Sequence, residues 1–364
     1  MAKFSYSVKQ IARETLPRLI DNLVFPNLVY TENAEGSAAK QGDTVSVRCP
    51  VKLTANDFDE QTGVTPENIQ KDTIDVKLDH LATVDMQVGA IESACDFDSV
   101  IRMFIEPAAA ALAEKINAEG LALYKDIPYT VGSAGTTPDG LDDIANASYA
   151  LDMQKVPAGM RCAVWNPLAT SKLKQVPAIV NAEKCGSTSA LRTGSIGKVF
   201  GIENYMSQAI VDHTSDCSGA TFAVKEAATD SDTVKLTITG DGNIKKGDVI
   251  TIAGKNHAAL ADGTKSGTTI TVKVYPNVTA ATTDTVTVVG SHTANLVFHP
   301  DAFAFVTRPL QAPAGVESYV TTYNGISLRV VRGYDMKYKR EMLSMDVLYA
   351  FKTIYPELAV RYLG

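Results

Sequence analysis

The sequence predicts an α+β fold interrupted by a small all-β module, and three observations carry that reading. Period-two alternation of apolar residues, the mark of strands, recurs before residue 90 and again after residue 294. Helical spacing dominates the stretch that follows the first strands. A threonine- and valine-rich tract with no arginine from Thr193 through Thr307 then separates two pieces of mixed text. The chain has 364 residues, 45% hydrophobic and 21% charged, enough apolar content for a real core. At ~150 residues per domain it would hold about two or three domains.

The elements follow in order. From Ser7 to Val24, apolar residues at Val8, Ile11, Ala12, Leu16, Leu19, Ile20, Leu23 and Val24 form one helical stripe. Ser7 is placed to cap that helix, and Pro17 is expected to kink or interrupt it. Its polar face mixes Glu14 and Asp21 with Lys9, Arg13 and Arg18, which fits docking on protein better than on a membrane surface. Next, Val45, Val47, Cys49 and Val51 alternate with polar residues, as do Ile74, Val76 and Leu78, and then Val84, Met86 and Val88. These are the arms of an extended hairpin, joined by the polar stretch LTANDFDEQTGVTPENIQKD. A connection that long is uncommon in a compact domain, and a two-stranded ribbon alone is marginal in water. The ribbon is therefore expected to lie against something else, with a mobile surface loop as the alternative that the pattern leaves equally open.

Asp98 or Ser99 opens the clearest helix, with Ile101, Ile105, Ala108, Leu112, Ile116 and Leu123 at helical steps as far as about Lys125. Pro107 should kink it or stand at the start of its longer half. A helix capped by Asp139 or Asp142 comes next, then the short strand MRCAVW and a helix starting after Asn166. TVKLTITGDG, GDVITIAG, GTTITVKVYP and DTVTVVG are short alternating runs bounded by turn residues, at the spacing of a small β module. Because mixed text resumes after them, the module reads as an insertion of about 70 to 80 residues in a host of roughly 280. In the closing strand Leu343, Met345, Val347, Tyr349 and Phe351 alternate with Ser344, Asp346 and Lys352, which implies one strongly buried face.

Charge and motifs narrow the function. The balance of 34 basic against 41 acidic residues, net −7, argues against a dedicated nucleic-acid binder, which must neutralise phosphates. No run of about 18 apolar residues is present, so no membrane span is expected. The first residues, MAKFSYSVKQIARETLPR, lack the pattern of a secretory signal. Cys49, Cys95, Cys162, Cys185 and Cys217 are scattered, with no Cys-x-x-Cys, and read as unpaired structural thiols in a reducing compartment. His292 and His299 stand seven apart, but TANLVF between them reads as strand, so a metal pair there is disfavoured. TGSIGKV lacks the first glycine and the hydroxyl residue of a phosphate loop, and GDGNIKKG reads as a hairpin turn. Asp57, Asp59 and Glu60 lack the glycine and final glutamate of a calcium loop. No cofactor, metal or catalytic group is expected.

The ordered pieces resemble the major capsid (coat) proteins of tailed bacteriophages, in particular the podovirus-type coat family with an inserted β-domain. DNLVFPNLVYTENAEGSAAKQGDTVSVRCP resembles that family's arm leading into its E-loop, and FIEPAAAALAEKINAEGLALY its spine helix. NIKKGDVITIAG resembles the start of the insertion, NLVFHPDAFAFVTRPL the return to the A-domain, and PELAVRYLG the terminus. The resemblance implies the tailed-phage major capsid fold: an N-terminal arm (1–30), E-loop hairpin region (31–95), spine helix and P-domain (96–130) and first part of the A-domain (131–213). An inserted β-domain (214–293) and closing A-domain and P-domain strands (294–364) complete it. The implied function is a non-enzymatic shell subunit, forming hexamers and pentamers around packaged double-stranded DNA that it holds only non-specifically. Scaffolding and portal proteins, and a decoration protein, are the implied partners; assembly would take place in the host bacterial cytoplasm, with no membrane. Leu16, Leu19 and Leu23 of the arm, and Val45, Val47, Asp57, Asp59, Glu60, Glu67 and Lys71 of the hairpin, are the expected contacts between copies. Two rival classes are a cytosolic α/β enzyme with a β accessory domain and a β-rich surface-array protein or adhesin.

Overall fold

The computed structural model describes residues 7–32, 40–48, 73–88, 101–181, 189–217, 219–335 and 340–364. The chain divides into two compact units: Met1–Pro17, Thr31–Ala108 and Ala304–Ile354 form the first, and Arg18–Tyr30, Ala109–Phe303 and Tyr355–Gly364 the second. The opening helix, Val8–Asn22, starts as expected: Ser7 Oγ accepts from Gln10 N–H at 3.3 Å, and Gln10 Oε1 accepts from Ser7 N–H at 3.1 Å. Pro17 lies inside the helix without interrupting it. The stripe around it is buried, and that packing outweighs the one hydrogen bond a proline removes.

The first unit is organised by one long strand, Arg340–Thr353. His80–Val88 runs antiparallel to it from Tyr349↔His80 to Glu341↔Val88. Ile326–Asp335 also pairs with it, and Glu317–Tyr323 pairs with Ile326–Asp335 in turn. Leu343, Met345, Val347 and Tyr349 are buried, as the alternation predicts. Asp346 departs from that pattern, being buried on the face expected to be polar and open. It is satisfied there by Arg329 Nε at 2.9 Å and by the Ser344 hydroxyl at 2.9 Å. A buried carboxylate persists only with such partners.

From Ala109 on, the spine belongs to the second unit. The run that reads as one helix from 98 to 125 has three parts among the described residues: a wide turn over Ile101–Ile105, an α-helix over Glu106–Leu121, and a tight turn over Ala122–Asp126. The change from the wide turn to the α-helix falls at Glu106 and Pro107, where proline has no N–H to give to the preceding turn. A mixed sheet orders its strands as Thr130–Gly132, Ala359–Leu363, His292–Phe298, Arg161–Trp165, Ile202–Met206 and Lys198–Val199. Asn166 caps the helix Pro167–Leu173 by accepting from Ala169 N–H at 2.8 Å, as read from sequence. At Leu141–Met153 the cap is Asp143, whose carboxylate reaches back to Gly140 N–H at 3.0 Å; Asp139 and Asp142 do not supply it. Trp165, fully buried, packs edge-on against Tyr362 and donates from Nε1 to Asn204 Oδ1 at 2.8 Å.

Residues 221–288 form a second, wholly antiparallel sheet of seven strands. Ala228–Thr239 pairs with Thr221–Val224 on one side and with Thr269–Ala280 on the other, which closes the sheet on itself. Closure pairs the long strands on both sides, leaving the short exposed strand Thr264–Ser266 at an edge, and gives the module its own apolar core, including Val234, Leu236, Ile250, Ile270 and Val272.

Truncating Trp165 to alanine should cost about 3–5 kcal/mol, because it opens a cavity and orphans Asn204. Urea denaturation followed by far-UV circular dichroism checks this; a loss under about 1 kcal/mol would show that Trp165 is not central to that core.

Candidate assembly surface

The ribbon Thr44–Arg48 and Thr73–Lys77 is paired antiparallel from Thr44↔Lys77 to Arg48↔Thr73. Its base is fixed by the backbone: Gly42 N–H donates to Leu78 O at 2.6 Å, and Leu78 N–H to Asp43 O at 2.8 Å. Gly42 has φ +97, a conformation that disfavours other residues at this turn. Gln41 Nε2 adds a bond to Asp79 O at 2.9 Å, and the Ser46 hydroxyl donates to Asp75 at 2.6 Å. The ribbon has two unlike faces. Val47, Val76 and Leu78 are buried and Val45 and Ile74 are half-buried, whereas Thr44, Ser46, Thr73, Asp75 and Lys77 are exposed.

The expected contact residues fall into three places. Leu16, Leu19 and Leu23 are at most 2% exposed, so the arm's stripe is used on the chain's own core and is not a surface open to another copy. Val47 is likewise buried and Val45 is half-buried, for the same reason: an amphipathic ribbon hides its apolar face first. Asp57, Asp59, Glu60, Glu67 and Lys71 lie outside the described residues. The same alternation that sets Val45 and Val47 on one face places Ser46 on the other, exposed one.

Chemistry elsewhere is sparse. Cys162 and Cys217 have thiols pushed up to about 11 by burial, with nearby carboxylates adding to it, which leaves them unreactive. Cys49, Cys95 and Cys185 lie outside the described residues. His292 and His299 are both buried and each bonds locally: His292 Nδ1 to Gly290 O at 2.8 Å, and Asp301 N–H donates to His299 Nδ1 at 3.4 Å. A cleft of 810 Å³ is lined by Tyr129, Asn146, Tyr149, Met153 and Lys255 among others, with no histidine, cysteine or carboxylate in its lining. Among the described residues, no group of three or more His, Cys, Asp or Glu side chains could hold a metal ion. No helix among them is long and apolar enough to cross a membrane.

No protein-family model matches the chain, and no curated protein matches it in sequence. Solved structures do. A chain from Mycobacterium phage Che8 is 17% identical, with 93% of this chain and 90% of that one covered, at a TM-score of 0.51. The fold is the phage capsid fold. The capsid of the cyanophage P-SCSP1u is 13% identical over 94% of this chain and 88% of that one, at 0.49. The capsid of Ralstonia phage GP4 is 11% identical over 92% and 86%, at 0.46. At such identities the likeness is one of fold.

The two faces of the ribbon should respond oppositely to substitution. Val47→Asp buries an unpaired carboxylate and should cost about 3 kcal/mol or more, while Ser46→Ala should change stability by about 0.5 kcal/mol or less. Urea denaturation of both variants checks this, and equal effects would contradict the assignment of inner and outer faces.

Proposed function

We propose that the chain is the coat subunit of a tailed phage, assembling in hundreds of copies into an icosahedral shell around packaged double-stranded DNA. The observation that carries the reading is a capsid fold shared along nine-tenths of both chains. Hexamers and pentamers would be the repeating contacts, formed in the host bacterial cytoplasm with a scaffolding protein and a portal, and a decoration protein as a further partner. Many weak interfaces of this kind add up to a stable shell. The net charge of −7 fits a wall that encloses DNA without gripping it.

The contacts between copies are assigned to the outer side of the hairpin. The ribbon base is anchored by its buried face, so its polar face and the connection over 49–72, with Asp57, Asp59, Glu60, Glu67 and Lys71, are left to reach another copy. In the arm, the polar side of the opening helix takes that role in place of Leu16, Leu19 and Leu23. The closed sheet of 221–288 is read as the inserted β-domain, facing away from the DNA.

Deleting Leu53–Thr73 tests this reading. Negative-stain microscopy of the expressed full chain should show uniform polyhedral shells or large polymers, and the deletion should yield a soluble folded subunit that forms no closed shell. Normal shells from the deletion would overturn the assignment of the hairpin.

A further inference from the structure

Five polar side chains from distant parts of the sequence meet inside the second unit. Asp248, which precedes the barrel strand Val249–Ile252, is fully buried. It accepts from Lys245 N–H at 2.7 Å and lies 2.8 Å from His213 Nε2. His213 Nδ1 stands 3.0 Å from the Tyr124 hydroxyl. The arrangement assigns Nε2–H as donor to Asp248 and the Tyr124 O–H as donor to Nδ1. Arg361, fully buried, donates to Gly247 O at 2.8 Å and to the Tyr124 carbonyl, with its guanidinium carbon 4.8 Å from the centre of the Tyr124 ring. The His292 ring lies 5.2 Å from that of His213. Its Nδ1–H donates to Gly290 O at 2.8 Å, and its Nε2 is buried with no hydrogen-bond partner.

These contacts fasten the barrel to the elements beneath it. Tyr124 ends the spine, Arg361 belongs to the closing strand, and Gly247 and Asp248 lead into the barrel. Gly247 has φ +94, and a Cβ there would lie 2.6 Å from Lys125 Cγ, so the backbone approaches the spine as closely as only glycine permits. Around the node, Lys246 stands 3.9 Å from Asp126, and Asn256 Nδ2 donates to Thr130 Oγ1 at 2.9 Å.

We propose that this node is an acid-sensitive latch, holding the barrel of 221–288 in place while His292 is neutral and releasing it when His292 takes up a proton. A proton can add only at Nε2, because Nδ1 already carries one. That atom faces no acceptor, and the resulting cation would be buried near the cation of Arg361. The groups facing it are Arg361 on the closing strand, His213, and Asp248 at the start of the barrel strand; Asp126 and Asp212 surround Arg361 and Tyr124. Of these, only Asp248 favours the cation on His292, and its lone pairs already serve His213 and Lys245. Burial, with Arg361 and His213 adding to it, pushes His292 down from 6.5 to about 4. Between those limits the opened chain binds a proton that the closed one does not. The latch is therefore at full strength above pH 6.5 and weakens as the pH falls toward 4. At pH 5 the opening equilibrium should be about 30-fold higher than at pH 8.

Hydrogen exchange of the full chain, read by mass spectrometry and corrected for the intrinsic pH dependence of exchange, tests the latch. Peptides over Val249–Ala259 and His292–Phe298 should exchange about 30-fold faster at pH 5 than at pH 8, while Ile326–Asp335 should not follow. His292→Asn keeps a donor for Gly290 O but has nothing to titrate, and should reduce the rise to about threefold or less. Asp248→Asn should loosen the same peptides already at pH 8. A wild-type chain with no acid-dependent rise, or a full rise in His292→Asn, overturns the latch. Should His292→Asn fail to fold, the wild-type series and Asp248→Asn still decide, and unchanged protection in Asp248→Asn at pH 8 also overturns it.

Discussion

A guanidinium taken out of water needs partners inside the protein, and Arg361 finds them for its two terminal nitrogens in carbonyls from two distant stretches, Tyr124 and Gly247, while its Nε has none. The cost of removing such a cation from water is several kcal/mol. Burial accordingly pushes its pKa down to about 10, against the opposing pull of Tyr124, Asp248 and Asp126. Those contacts set where three elements can be: the end of the spine, the entry to the barrel and the closing strand. If any one moves, a buried cation loses a partner. The last residues of the chain are thus interior structure, with Ala359–Leu363 buried throughout and paired on both sides.

The first unit uses the same device more sparingly. Its long strand Arg340–Thr353 is apolar on the face that packs, and a carboxylate drawn inside, Asp346, is held by Arg329 across the strand pair. The ribbon depends on that strand indirectly. Its second arm leads through Leu78 into His80–Val88, which is zipped to the long strand over nine paired positions. A ribbon too thin to stand alone is thereby given a rigid root and a polar outer face. That is the physical basis for giving it the contacts between copies.

Much of this was legible in the sequence because it depends on local periodicity. Alternation located the ribbon arms, the barrel strands and the closing strand, and Ser7 and Asn166 announced their helices. The threonine-rich tract without arginine became a closed antiparallel sheet, although nothing in a one-dimensional pattern says that Ala228–Thr239 would meet Thr269–Ala280 and close it. What stayed hidden depends on residues far apart in sequence. Periodicity marked Leu16, Leu19, Leu23 and Val47 as apolar-face residues but could not say whether that face meets the chain's own core or another copy, and it meets the core. The histidines that matter to each other are His213 and His292, joined by the fold, and not His292 and His299, which are merely close in sequence. Asp346 reads as an open polar position until the sheet is assembled around it.

The proposed role, a subunit that functions only in many copies, rests on the shared fold and the anchored ribbon. Sedimentation velocity of the purified full chain across a concentration series tests that role most directly. The account predicts a cooperative passage from single chains to one narrow, very fast boundary containing hundreds of copies, above a threshold concentration or on adding a crowding agent. A single slow boundary of monomer or dimer at every concentration would contradict it.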